Sequence, residues 1–378
     1  MMNNDLNFLY IHIPFCDHIC SYCDFYKKIA KQETISKYID YLDKELTLKQ
    51  KHLNNIIGIY IGGGTPSSIG IDNLKKLFYY LNKYINLKEL KEFSIECNPK
   101  DVNKELIILF KDNNVNRLSL GIQSFNNKKL KFLNRNHTKK DAINCIKLLR
   151  KLNFKNFNVD IMYGLPKDTK YKIQRDLKIL KKFNVKHISC YSLILEEKTM
   201  LYNKYLKNEF KLFNEDEEAK IYYSIQNFLT KHNYKQYELS NFSKENYECL
   251  YNINTWNNLH YLGIGTSASY YINNKRYTNI KNLNSYFEAL DNNKLVYDEE
   301  ILLNKDDIIF EEIMLGLRKT EGFNYKNINK KYNVDVFKTF PNIDFLLKNN
   351  LLIKNETHIF IPHNKLYISN TIINKVLE

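Results

Sequence analysis

The sequence predicts an α/β fold: a partial (β/α)6 barrel with a smaller C-terminal winged-helix-like module of helices and strands. Two observations lead to this prediction. Over the first 200 residues, six short apolar runs alternate with longer amphipathic runs, the pattern of a parallel sheet with helical crossovers. After residue 200 this period weakens, and helices with one small hairpin close the chain. Full barrels use eight strand–helix units, so six units predict an open barrel.

Each predicted strand is a short apolar run, and a helical period lies between successive strands. The strands are 8–13, 56–64, 91–99, 116–125, 156–166 and 186–195. The helices are 34–49, 71–84, 101–112, 126–133, 139–152 and 169–183. Pro99 ends the third strand, and Gly164 with Pro166 ends the fifth. Because parallel strands end at the same edge of a sheet, we expect the loops after the strands to form the functional rim.

The rest of the chain divides into two further predicted parts. A helix at 214–232 and a strand at 234–243 precede a loop-rich segment at 250–280. From about residue 285 a new module begins, with a capped helix at 304–322 closed by Gly322, a hairpin turning at Asn355–Glu356 and a last helix. The expected domains are therefore a barrel at 1–200, a barrel extension with loops at 201–284, and the C-terminal module at 285–378. Winged-helix-like modules bind DNA in some proteins and only pack in others, so no DNA role follows.

The amino-acid composition indicates what class of protein this is and in which compartment it is expected. Of 378 residues, 44% are hydrophobic, which is typical of a globular protein. The net charge is +15, but the lysines are interleaved with acids and form no patch, which favours an AT-rich coding bias over a nucleic-acid face. Residues 1–7 lack the apolar core of a signal peptide, and no run reaches the roughly 18 apolar residues of a membrane span. We therefore expect a cytoplasmic protein with reduced cysteines.

Three of the seven cysteines lie in the loop after the first strand. Cys16, Cys20 and Cys23 have the spacing C-x3-C-x2-C, and Asp24-Phe25 follow where a fourth cysteine could stand. A zinc site would need a fourth ligand, such as His12 or His18. A disulfide would conflict with a reducing compartment, and unrelated buried cysteines would not cluster in a loop. An iron–sulfur cluster suits the spacing best, because three thiolates leave one iron of a [4Fe–4S] cube open to another ligand.

Polar and glycine residues recur where the other predicted strands end. The segment Gly62–Pro66 (GGGTP) follows the second strand and offers backbone N–H and C=O groups to a ligand. Glu96 lies near the end of the third strand, Gln123 near the end of the fourth and Asp160 within the fifth, while Arg135 follows in the sequence LNRNH. Each alone could be a rim salt bridge, but their recurrence at successive strands favours one ligand site.

The cysteine spacing after a first barrel strand resembles the radical S-adenosylmethionine (SAM) superfamily. There the open iron of a [4Fe–4S] cluster is chelated by the methionine amino and carboxylate groups of SAM. A closer resemblance is carried by five stretches: LYIHIPFC with CSYCDFY, YIGGGTPS, SIECNP, RLSLGIQSF with LNRNH, and NVDIMYGLP. Together they are similar to the oxygen-independent coproporphyrinogen III oxidase family, HemN and its relatives, over roughly residues 8–270, with a weaker continuation in IMLGLRKTEG.

The resemblance implies a role for each matching residue. Cys16, Cys20 and Cys23 would hold the cluster, and the cluster-bound SAM would contact Tyr10, Gly63 and Glu96. A second SAM site, as in the oxidases, would be lined by Tyr22, Gly64, Thr65, Gln123, Arg135 and Asp160. An outside electron donor to the cluster is implied as well.

Two features resemble the heme-chaperone branch of the family, HemW, more than the oxidases. The oxidases read C-x3-C-x2-C-x-C, whereas Phe25 stands at the last cysteine position here. Only nine residues precede Tyr10, where the oxidases carry an N-terminal extension. The alternative for Phe25 is simple packing under the loop. The branch implies a protein that binds heme as cargo and passes it to an acceptor protein, and it argues against coproporphyrinogen oxidase activity.

The expected heme motif is altered in this chain. Heme chaperones usually carry H-N-x-x-Y-W; here Asn252 and Trp256 match, while Tyr251 and Thr255 replace the histidine and tyrosine. Ser269 stands where a further histidine is usual. Tyrosine can ligate heme iron, and His260 is near in sequence, so the alternatives of retained and altered heme binding stay open.

Three functions are therefore compared. The first is a heme chaperone with a SAM-coordinated cluster, using Tyr251, Asn252 and Trp256 toward heme. The second is radical-SAM oxidative decarboxylation of coproporphyrinogen III. The third is another radical-SAM reaction, on RNA, suggested by the positive charge. The sequence leaves peripheral membrane contact, dimerisation and SAM turnover undecided.

Overall fold

The barrel units follow one another in a computed structural model that describes residues 8–378 of the chain. The strands are β1 (Phe8–Ile13), β2 (Gly58–Gly63), β3 (Glu92–Cys97), β4 (Arg117–Gln123), β5 (Phe157–Tyr163) and β6 (His187–Ser192). The helices between them are α1 (Gln32–Lys49), α2 (Ile71–Tyr84), α3 (Lys104–Asp112), α4 (Asn127–Phe132), α5 (Lys139–Lys151) and α6 (Lys170–Lys182). All six predicted strands and all six predicted helices are present, with ends within a few residues of those expected.

The segment after β6 adds helices and short strands to the sheet. It contains α7 (Met200–Leu206), α8 (Glu215–Lys231), β7 (Lys235–Gln236), β8 (Asn241–Ser243), α9 (Leu250–Trp256), β9 (Tyr261–Ile264), β10 (Ser269–Ile272), β11 (Lys275–Asn279), α10 (Leu283–Asp291) and β12 (Tyr297–Leu302). The prediction of one strand at 234–243 is wrong, because β7 and β8 pair antiparallel across a turn. The prediction of a loop-rich segment at 250–280 is also wrong, because α9, β9, β10 and β11 lie there.

Twelve strands of residues 8–378 form one sheet, in the order β12-β11-β10-β9-β1-β2-β3-β4-β5-β6-β8-β7. The strands from β1 to β6 are parallel, and β9 adds a seventh parallel strand on the free side of β1. The outer strands on both sides are antiparallel. The sheet is therefore an open barrel of seven parallel strands, one more than the sequence predicts.

A buried polar cluster attaches the added strands to α1. The Glu45 carboxylate accepts hydrogen bonds from the Gly265 N–H at 2.8 Å, the Asn279 amide at 2.8 Å and the Tyr286 hydroxyl at 2.7 Å. Lys49, one helical turn further along, pairs with Glu45 at 2.7 Å. Both oxygens of this buried carboxylate are hydrogen-bonded, which offsets the cost of removing its charge from water. The cluster therefore stabilises the position of β9 against α1.

The C-terminal module consists of α11 (Lys305–Gly316), β13 (Phe323–Asn324), α12 (Tyr325–Tyr332), α13 (Val336–Thr339), α14 (Asn342–Lys348), β14 (Ile353–Lys354), β15 (His358–Phe360) and α15 (Ser369–Leu377). Its three strands form a small sheet in the order β13-β15-β14, with the predicted hairpin between β14 and β15. Helix α11 ends at Gly316 instead of 322; Gly322 has φ +78° in the turn to β13. The predicted fold, a partial barrel with a winged-helix-like module, is confirmed.

The position of β12 bears on the domain boundaries. Although β12 follows residue 285, it pairs with β11 in the large sheet. We keep the three-part division as a proposal and place the start of the last module near residue 304 instead of 285. Among residues 8–378, no helix is both long enough and apolar enough to cross a membrane.

Candidate functional site

The three clustered cysteines face one pocket at the C-terminal rim of the barrel. This cysteine pocket is lined by Cys16, Cys20, Cys23, Tyr22, Gly63, Gly64, Thr65, Glu96, Gln123, Arg135 and Asp160, among others. All three thiols are free. The pKa of Cys16 is raised to about 11, chiefly by burial and to a lesser extent by the neighbouring Cys23 and Cys20. The structure thus brings the predicted cluster ligands and most of the predicted SAM residues into one space.

Hydrogen bonds tie the two ends of the cysteine loop together and attach the loop to the end of α4. The Cys16 N–H donates to the Lys28 carbonyl at 3.0 Å, and the Ser21 N–H donates to the Leu133 carbonyl at 3.1 Å. The thiols have partners of their own. Thr65 Oγ1 donates to Cys16 Sγ at 3.3 Å, and Arg135 Nη1 donates to Cys20 Sγ at 3.2 Å. Arg135 thus places a positive charge beside Cys20, where an iron-bound thiolate would be negative.

The donor set suits a cluster better than a single ion. Within residues 8–378, no three His, Cys, Asp or Glu side chains converge closely enough to hold one metal ion. His12 uses both ring nitrogens, toward the Tyr10 hydroxyl and the Tyr26 carbonyl, each at 3.0 Å. Nε2 of His18 donates to the Asn134 carbonyl at 2.7 Å. A cluster of several irons spaces its thiolates farther apart than one zinc ion does, so three thiols around one pocket fit the iron–sulfur alternative.

The glycines after β2 pass too close to the cysteine loop for side chains. A Cβ on Gly64 would lie 2.6 Å from the Phe15 carbonyl oxygen, and one on Gly63, which has φ +110°, would lie 2.5 Å from the His12 ring. The Gly64 and Thr65 N–H groups donate to the Ile13 and Phe15 carbonyls at 2.8 and 2.7 Å. These glycines therefore fix the distance between β2 and the start of the cysteine loop.

Glu96 lies beside the glycines at the end of β3. Its carboxylate accepts from the Tyr60 hydroxyl at 2.9 Å and from the Gly63 N–H at 3.2 Å. Burial nevertheless raises the pKa of Glu96 to about 7, and the nearby Asp160 raises it as well. Glu96 is thus a carboxyl group that changes charge near neutral pH and faces the cysteine pocket.

The far wall of the pocket contains a strained strand end. Gln123, the last residue of β4, has φ +65°, an uncommon backbone conformation for a residue other than glycine. Its Oε1 accepts from the Tyr191 hydroxyl at 2.6 Å, which holds it toward the pocket. Arg135 Nη2 donates to the Gly121 carbonyl at 2.6 Å, and the Asp160 carboxylate accepts from the Asn158 amide at 2.6 Å.

A second space, the inner cavity, continues from the cysteine pocket into the barrel. It has an empty volume of about 1230 Å³, open solvent included. Tyr22, Cys23, Phe25, Glu96, Ser119, Asp160 and Tyr191 line both spaces. Phe25 is 64% exposed and Ile194 is 67% exposed at the mouth of the inner cavity. The alternative that Phe25 only packs under the loop is therefore wrong.

Four predicted site residues, Tyr10, Tyr251, Asn252 and Trp256, do not line the cysteine pocket. Tyr10 lines neither space; its hydroxyl contacts His12 and its ring lies 6.4 Å from that of Tyr60. Tyr251 stacks on Tyr60, with ring centroids 4.8 Å apart. Trp256 lines neither space, and its Nε1 is buried without a hydrogen-bond partner in the described chain. Of the residues expected to face heme, the structure brings only Asn252 to the inner cavity.

Several polar residues of the inner cavity were not predicted from the sequence. They are Arg117 and Ser119 of β4, Asn158 of β5, and Ser189 and Tyr191 of β6. Each lies at an alternate position of its strand, on the face that also carries Gln123 or Asp160. A polar residue at every second position of an otherwise apolar strand is the signal that could have revealed them.

Comparisons with known proteins show which family and fold this chain resembles. The radical SAM superfamily model matches residues 10–180, and the HemN C-terminal domain model matches residues 303–364. The heme chaperone HemW of Lactococcus lactis is 35% identical over 98% of this chain and 97% of its own length. The heme chaperone HemW of Bacillus subtilis is 33% identical over 97% of this chain and 98% of its own. The structure of coproporphyrinogen III oxidase (HemN) from Escherichia coli has a TM-score of 0.86 at 22% identity, covering 99% of this chain and 90% of that one.

Proposed function

We propose a function from one premise: the chain belongs to the HemW family, whose curated members are described as heme chaperones. Its radical SAM domain implies a [4Fe–4S] cluster and SAM. We propose that the chain binds heme and passes it to an acceptor protein. The observation that carries this proposal is the inner cavity, whose exposed apolar mouth suits a large, flat, apolar ligand.

Within this function, we propose that the cysteine pocket holds the cluster and its SAM. Cys16, Cys20 and Cys23 would bind three irons, and the cluster would offer its fourth iron to the methionine end of SAM. Glu96 would then bind the methionine ammonium group. The backbone of Gly63 and Gly64 would border the ligand, and Arg135 would balance the thiolate charge through its contact with Cys20. An electron donor to the cluster is a further proposed partner.

We expect SAM affinity to fall with falling pH because of Glu96. With its pKa raised to about 7, the carboxylate is mostly ionised at pH 8 and mostly protonated at pH 6. If its charge binds the ammonium, the contribution of Glu96 drops about tenfold between these pH values. Equilibrium titration of the reconstituted protein with SAM at pH 6, 7 and 8 measures this. SAM's own amino group also titrates, so Glu96→Gln serves as the reference. Equal pH slopes for both proteins would contradict the assignment.

We expect anaerobically reconstituted protein to bind about one equivalent of heme, seen as a saturable Soret shift. Phe25→Ala should weaken this binding about tenfold or more, because a phenyl ring covered by a ligand contributes roughly 1.5–3 kcal/mol. Ile29→Ala is the matched control: Ile29 is 65% exposed on the same loop but does not line the inner cavity. The absence of saturable heme binding by the unmodified protein would count against the chaperone function.

The shared fold with HemN from Escherichia coli favours one alternative, the oxidative decarboxylation of coproporphyrinogen III. Incubating the reduced, reconstituted protein with SAM and coproporphyrinogen III distinguishes the two functions. A chaperone gives no protoporphyrinogen, whereas an oxidase gives it together with 5′-deoxyadenosine.

A further inference from the structure

A buried guanidinium group lies at the inner end of the inner cavity. Arg117, the first residue of β4, is 2% exposed and lines this cavity. In the part of the chain that the structure describes, no carboxylate oxygen lies within 4.0 Å of its nitrogens, and Nε is buried without a hydrogen-bond partner. Glu92, Glu96 and Asp160 interact with this charge only through space, without a direct ion pair. Because buried charges in proteins are normally paired directly, a guanidinium without such a partner in a cavity wall points to an anionic ligand.

The nearby carboxylates are engaged by other groups. Glu92 accepts from the backbone N–H groups of Leu250 and Tyr251 at 2.7 and 3.3 Å, which fixes the start of α9. Glu96 is held by Tyr60 and Gly63, and Asp160 by Asn158, as described above. These hydrogen bonds orient each carboxylate toward a donor other than Arg117, so its guanidinium is left available to a ligand.

The cavity wall around Arg117 contains hydroxyl and amide groups as well as the carboxyl groups of Glu96 and Asp160, and burial raises the pKa of both carboxyls. Ser119, Asn158, Ser189 and Asn241 line the same cavity with hydroxyl and amide groups. Gly121 lies four residues after Arg117 on β4 and lines the cysteine pocket at the rim. At about 3.3 Å per strand residue, Arg117 therefore lies roughly 13 Å deeper than the rim. A ligand spanning this depth would have an apolar body near Phe25 and an acidic end near Arg117.

We propose that Arg117 binds a carboxylate of the ligand that enters the inner cavity; if the ligand is heme, this carboxylate is a propionate. The inference rests on the proposed heme-binding function and deepens it. A guanidinium presents two parallel N–H donors to the two oxygens of a carboxylate. An ester carries no charge, so it binds these donors more weakly than a carboxylate does. Arg117 thereby selects for a free propionate over its neutral derivatives.

The test compares heme with heme dimethyl ester, in which both propionates are neutral. We expect the unmodified protein to bind heme about tenfold or more tightly than the ester, the range of a charge-assisted hydrogen bond. Arg117→Gln should lose this preference, binding heme about as weakly as the ester. Arg175→Gln, which changes an exposed arginine on α6 outside the cavity, should keep the full preference.

Each result decides the inference. A full preference retained by Arg117→Gln, or equal binding of heme and ester by the unmodified protein, overturns the role of Arg117 and leaves heme binding intact. Absence of binding of either ligand by the unmodified protein overturns the proposed function and this inference together. If Arg117→Gln fails to fold by circular dichroism, Arg117→Lys keeps the buried charge but loses the paired donors. An undiminished preference in that variant overturns the inference, and a reduced one supports it.

Discussion

Replacing Cys20 with alanine is expected to abolish assembly of the iron–sulfur cluster. Cys20 is one of three thiols that face the cysteine pocket, and it receives the Arg135 hydrogen bond. Two remaining thiolates cannot hold three irons of a cube. Iron and sulfide content, together with visible absorbance after anaerobic reconstitution, measure the loss.

Cys145→Ala is the matched control for this substitution. Cys145 is buried in α5 and lies outside the cysteine pocket. We expect it to lower the free energy of unfolding by about 1 kcal/mol while leaving the iron content unchanged. If Cys20→Ala reconstitutes a full cluster, the proposed ligand set is wrong.

Gly64→Ala is expected to weaken SAM binding by at least about tenfold and to lower cluster occupancy as well. The added Cβ would lie 2.6 Å from the Phe15 carbonyl oxygen and 2.9 Å from the Ile13 carbonyl oxygen. Both are backbone atoms of the three residues before Cys16, so relief of the clash must move the start of the cysteine loop away from β2. A shift of about 1 Å in such a site costs of the order of a hundredfold in function. SAM titration and iron analysis of the same preparation measure both effects.

Gly70→Ala separates this clash from general backbone strain. Gly70 has φ +94°, and its added Cβ would meet only the Gln32 side chain, at 3.4 Å. We expect a loss of roughly 1–3 kcal/mol in stability, because φ +94° with ψ 152° is a backbone conformation that essentially only glycine adopts, with SAM binding unchanged. Gly64→Ala protein that binds SAM as the unmodified chain does would show that the glycine spacing is not required.

The barrel was predictable because its local signals agree with its packing. The parallel strands are largely buried on both faces, so they are rich in apolar residues even where one face carries polar side chains, and turn signals such as Pro99 bound several of them. The cysteine spacing and the glycines after β2 were visible for a different reason. Thiolates that bind iron and glycines that allow close backbone contact are roles that few other residue types can fill, so both are visible in the sequence although the glycines contact residues about fifty positions away.

The remaining features depend on contacts between distant segments. Strand β9 has only four residues and lies between a short helix and a glycine turn. Four residues are too few to show an alternating pattern of apolar and polar side chains, so the sequence did not reveal its pairing with β1. The stacking of Tyr251 on Tyr60 depends on Glu92, which holds the start of α9 from another strand. The exposure of Phe25 likewise follows from the course of the cysteine loop, which residue type alone does not determine.

Because β1 pairs with β9, strand β1 cannot be completed in the sheet until residues 261–264 have been synthesised. Phe8 lies beside Tyr261, so the strand that leads into the cysteine loop gains its second neighbour only after most of the chain has been synthesised. Until then, one edge of the apolar run FLYIHI has unpaired backbone groups, and such an edge promotes pairing between chains. Closing so long a loop is also slow, because its entropy is lost before the contact forms. A nascent chain that stops before Ile264 would therefore present cysteines ready for iron on an incomplete barrel prone to aggregation.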